Sequence, residues 1–133
     1  MRKLSKLLPL IFSIPLVFSS CKDNEKAGSD LVGTWEESTY VVSGCIDPAD
    51  NESDTCTSGC EQIVLTSNTI KFGTDPVQNY TVSGNQLTIS ETTGATTVSF
   101  TVTYSISDNI LTVSYTDSVD DGGCTVILTF KRV

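Results

Sequence analysis

From Leu31 onward, apolar and polar residues alternate with a period of two, and no window repeats with the period of a helix. The clearest stretch runs from Thr97 to Ile106. Val98, Phe100, Val102, Tyr104 and Ile106 fall on one face, and Thr97, Ser99, Thr101, Thr103 and Ser105 fall on the other. The last stretch behaves alike: Cys124, Val126, Leu128, Phe130 and Arg132 share one parity, Thr125, Ile127, Thr129 and Lys131 the other. Strands with one buried and one solvated face read this way. With turn residues as boundaries, the pattern predicts eight strands, over roughly 31–45, 60–66, 69–73, 77–83, 86–91, 96–107, 109–116 and 123–132.

The connections sort into two kinds. Ser67-Asn68, Gly84-Asn85 and Asp108-Asn109 suit tight hairpin turns, whereas 46–59, 73–76, 92–95 and 117–122 are longer. In a meander, alternate connections lie at the same end of the sheet. The tight turns therefore share one end and the longer loops the other. Eight sequential antiparallel strands predict an all-β, up-and-down barrel, closed so that no edge is left unpaired; a β-sandwich is the alternative. Closure sets the first strand beside the last, and with them Cys45 beside Cys124.

The chain before residue 31 follows different rules. Arg2, Lys3 and Lys6 precede an apolar stretch from Leu7 to Phe18, too short to span a bilayer and interrupted by Pro9 and Pro15. Residues 1–20 read as a signal peptide. Phe18-Ser19-Ser20-Cys21 resembles a bacterial lipobox, which implies that Cys21 becomes the first residue of the mature chain and carries fatty acyl chains such as palmitate. Residues 21–30 are polar and acidic and read as a flexible tether. The expected location is the outer membrane of a Gram-negative cell, lipid-anchored, on its surface or periplasmic side.

Composition narrows the partners. Cleavage leaves five basic against 16 acidic residues, a net charge of −11. Such a surface repels a phosphate backbone, which argues against nucleic acid. Once Cys21 is acylated, Cys45, Cys56, Cys60 and Cys124 remain, an even number for an oxidising compartment. Barrel closure favours Cys45–Cys124 with Cys56–Cys60, and leaves Cys45–Cys60 with Cys56–Cys124 as the alternative. There is no histidine and no paired CxxC, so neither a metal site nor a cofactor is expected.

Gly33-Thr34-Trp35 at the head of the first strand and Arg132 at the foot of the last resemble the lipocalin pattern. That resemblance implies a tryptophan plugging the closed end of the barrel with an arginine stacked over it. The match lies at the two ends of the domain, residues 31–133; it resembles the small lipocalin-like domains of bacterial lipoproteins more than a transport lipocalin.

No histidine-based triad can form, and Glu36 and Glu37 are strand neighbours facing opposite ways, so no acid–base pair stands out and no enzyme activity is expected. The acidic loops 47–54 and 117–123 are oxygen-rich, but neither has EF-hand spacing, and both read as solvated turns. Asp117-Ser118-Val119 resembles a short O-glycosylation acceptor. Phe72, Tyr80, Phe100, Tyr104 and Tyr115 are the aromatics of the apolar faces, and they would line any cavity. The expected function is that of a monomeric, membrane-anchored binding module for a small hydrophobic or amphipathic ligand. The competing expectation is a structural lipoprotein whose loops meet an envelope protein or glycan.

Overall fold

The computed structural model describes residues 28–133. The signal segment 1–20, the lipidation site Cys21 and the tether up to Ala27 lie outside the described residues. The described chain forms nine strands: β1 (Gly33–Ser43), β2 (Glu52–Thr55), β3 (Gln62–Leu65), β4 (Thr69–Phe72), β5 (Gln78–Ser83), β6 (Gln86–Thr93), β7 (Thr96–Ser107), β8 (Ile110–Thr116) and β9 (Thr125–Arg132). Strands β1 and β3 to β9 follow one another antiparallel, and β9 pairs back onto β1 from Trp35↔Arg132 to Ser43↔Thr125. The result is a closed eight-stranded barrel with one strand added. Ladder, core and both disulfides lie within the described residues. No helix among these residues is long and apolar enough to cross a membrane.

The added strand fills the connection read as a loop over 46–59. Glu52–Thr55 is exposed at every position, so no apolar alternation marks it. It is held by the backbone, pairing Thr39↔Thr55 through Val42↔Glu52 along the upper half of β1. The lower half of β1 pairs with β3 instead, from Gly33↔Leu65 to Glu36↔Gln62. Between the halves the register to β9 shifts at Glu37/Thr39. The bulge flips parity along the strand, so Trp35 and Val42, an odd and an even position, are both buried.

One end is closed by the tight turns. Asp108 and Asn109 both have positive φ, 51° and 61°, which a two-residue hairpin turn needs and aspartate and asparagine tolerate. Tyr80 donates its hydroxyl to the Thr66 carbonyl. Tyr104 donates to the Gly84 carbonyl at 3.2 Å. Two buried hydroxyls thus satisfy themselves on turn carbonyls at the closed end.

The same end is plugged from below. Residues 28–31, the last of which opens the expected first strand, form a turn with Leu31 N–H donating to the Gly28 carbonyl at 3.3 Å. Leu31 and Trp35 are both fully buried, and Trp35 Nε1 donates to the Leu31 carbonyl at 2.9 Å. Gly33 has φ +148°, and a Cβ there would lie 2.7 Å from Arg132 Nη1. Both the backbone conformation and the close approach of the arginine require glycine.

The core occupies the inner face. Ile63, Leu65, Ile70, Leu87, Ile89 and Val102 belong with Trp35 to the main buried cluster. A second cluster of Val42, Cys45, Cys124 and Val126 sits at the open end. Outward-facing threonines and serines bond across strands, as in Thr88–Thr101 at 2.8 Å, Ser90–Ser99 at 2.8 Å and Thr116–Thr125 at 3.2 Å. An apolar inside and hydroxyl-covered outside is the reverse of a barrel that spans an outer membrane.

Candidate functional site

The open end carries the longer connections and the Cys45–Cys124 disulfide, while Cys56–Cys60 lies lower, beside the bulge at Ser38. Cys45–Cys124 ties the end of β1 to the start of β9, and Cys56–Cys60 closes a short loop beside β2. The fifth connection, expected to be long, is a two-residue turn at Gly94-Ala95. With it the β6–β7 hairpin rises past the core, so that residues 91–101 are exposed on both faces.

A cavity of about 540 Å³ lies inside the barrel, within the size range of small-molecule sites. Its lining is mostly apolar and comes from Leu31, β3, β4 and β6 to β9, buried toward the closed end and exposed at the mouth, where Thr116, Asp117 and Ser118 stand. Strand β7 explains how it opens. It pairs with β6 over Thr96–Thr103 but with β8 only over Thr103–Ser107. Above Thr103 and Ser114 the two strands part. The cavity and an outer groove of about 250 Å³ both reach this gap and share Thr101, Val102, Tyr115 and Thr116 as lining.

The structure separates the five sequence-predicted aromatics into two groups. Phe72, Phe100 and Tyr115 line the cavity. Phe100 remains 51% exposed and Tyr115 37% exposed, because they stand where the wall is open. Tyr80 and Tyr104 face inward but lie at the closed end, where their hydroxyls are already bonded to turn carbonyls. They are part of the plug and not of the cavity wall. Gly33, Trp35 and Arg132 meet at that end as well, far along the strands from the mouth.

Sequence reasoning missed Tyr40. It lies above the bulge, packed against the Val42–Cys45–Cys124–Val126 cluster. Burial first, and then the negative charge of the nearby Glu52 carboxylate, hold its hydroxyl above the ordinary phenol value. Tyr115 is raised likewise, by burial and then by Asp117. Both stay neutral hydrogen-bond donors at physiological pH. The signal was the polar run Glu36-Glu37-Ser38-Thr39, which breaks the alternation where the bulge sits.

Charge at the site is of one sign. Asp117 is the charged side chain in the cavity lining. The basic residues among the described ones stand elsewhere. Lys71 is exposed on β4, opposite half-exposed Val64 in the ladder, and Lys131 is exposed near the closed end. Arg132 is committed to Trp35 and to backbone carbonyls. Among the described residues, no three His, Cys, Asp or Glu gather as metal ligands. Comparison with protein-family models, with curated proteins and with solved structures gives no match.

Proposed function

We propose that this chain is a lipid-anchored, lipocalin-like binding protein that holds one small apolar or amphipathic molecule inside its barrel. The observation that carries the reading is the cavity of about 540 Å³, lined mostly by aliphatic and aromatic side chains and open where β7 and β8 part. A barrel built only for stability would fill that space, since protein interiors are close-packed and empty volume costs contacts. Burial is the whole mechanism: the ligand leaves water for an apolar interior, and rim hydroxyls orient its polar end.

Orientation supports the anchor. The chain reaches the barrel at the closed end, through Asp30 and Leu31 beside Trp35 and Arg132. A lipid on Cys21 would therefore hold that end toward the outer membrane and turn the mouth outward. The test is titration of the 22–133 domain with a neutral solvatochromic dye, then displacement by dodecanol. Saturable, displaceable fluorescence at one dye per chain is expected. Absence of any saturable site overturns the reading.

A further inference from the structure

We propose that the cavity discriminates by head-group charge and takes a cationic amphiphile, an ammonium group on an apolar body, in preference to a fatty carboxylate. The inference rests on the reading of the cavity as a ligand site and goes on to name the ligand's chemistry.

Three observations converge on the mouth. Asp117 is the charged side chain of the lining, and a partner of opposite sign would have its charge neutralised there. The aromatic side chains nearest that rim, Phe100 and Tyr115, are exposed at 51% and 37%, which leaves aromatic surface within reach of a cation. Lys71, Lys131 and Arg132 stay out of the lining, so none of them can receive a carboxylate. A fatty acid would have to bring its anion beside Asp117 with no counter-charge in the lining among the described residues, a like-charge contact that specificity by repulsion exploits. An alcohol of the same length avoids the repulsion but gains no ion pair.

The experiment uses residues 22–133, which contain every strand, the core and both disulfides of the barrel. Dodecylamine, dodecanol and dodecanoate share one tail, and each is titrated calorimetrically below its solubility or micelle limit at neutral pH and moderate salt. The amine is expected to bind about tenfold tighter than the alcohol, and the alcohol tighter than the acid. Asp117→Asn is expected to bring the amine close to the alcohol, while Asp75→Asn, on the loop after β4, leaves the order unchanged. If all three bind alike, the cavity reading stands and the charge inference fails. If the amine preference survives Asp117→Asn, it reflects the overall acidity of the protein, and the inference is likewise overturned. If none binds, the cavity reading itself falls.

Discussion

The guanidinium carbon of Arg132 lies 4.2 Å from the centroid of the Trp35 ring, while Nη1 donates to the Val32 carbonyl at 3.0 Å and Nη2 to the Asp30 carbonyl at 2.6 Å. One side chain from the last strand thus stacks on the plug and ties down the segment that leads into the first. Arg132→Ala removes the stacking and both charge-assisted bonds. A loss of about 2–3 kcal/mol is expected in chemical denaturation, with Arg132→Lys intermediate because an ammonium cannot serve both carbonyls from one plane.

Gly33→Ala is a second test of the same junction. A methyl at φ +148° and 2.7 Å from Arg132 Nη1 has to displace the arginine as well as strain the backbone. Destabilisation above about 1 kcal/mol is expected. If the arginine is what gives way, Gly33→Ala in an Arg132→Ala background should cost distinctly less, which a double-mutant cycle reads directly.

The disulfides divide unequally. Cys45 and Cys124 are separated by 79 residues, Cys56 and Cys60 by 4. Loop-closure entropy assigns about 4–5 kcal/mol to the first and about 2 kcal/mol to the second. Paired serine substitutions at 45 and 124 should therefore lower Tm far more than those at 56 and 60.

Placement of the aromatics predicts a split between stability and binding. Tyr80→Phe removes a hydroxyl bonded to the Thr66 carbonyl and should cost about 1 kcal/mol of stability without changing ligand affinity. Phe100→Ala removes a half-exposed ring from the cavity wall and should weaken binding while leaving Tm nearly unchanged. The reverse outcome would place the binding surface at the wrong end.

Alkaline pH acts through the same tyrosines. Burial first, then Tyr104 for Tyr80, Asp30 for Tyr104 and Asp117 for Tyr115, raises these three above the ordinary value of 10.0. The folded chain then keeps protons that the unfolded chain loses. This contribution is fully present below pH 10.0 and disappears as pH rises through the folded-state values. Stability should be flat in this respect to about pH 10 and fall above it, with tyrosinate absorbance rising along the unfolding transition.

Much of this architecture was legible because it is local. Hairpin follows hairpin, so the alternation around Phe100 and Phe130 and the turn at Asp108-Asn109 were enough to order the barrel and bring Cys45 to Cys124. What escaped depends on backbone and height. Glu52–Thr55 pairs through main-chain groups alone and buries nothing, so its side chains carry no strand signal. The bulge at Glu37/Thr39 turns Tyr40 and Val42 onto the face that simple parity denies them. Period-two reasoning says which face Tyr104 and Phe100 share, but not that one lies against a turn carbonyl and the other beside a gap. That gap, where β7 leaves β8 at Thr103, arises from a change of partner along one uninterrupted strand, and alternation is blind to partners.

The most direct test is native mass spectrometry of residues 22–133, gently purified from an oxidising compartment, before and after incubation with dodecanol. One ligand bound per chain, lost on denaturation and weakened in Phe100→Ala, is the expected result. A mass that stays that of the bare chain, four hydrogens below its reduced form for the two disulfides, at every ligand concentration would contradict a binding cavity.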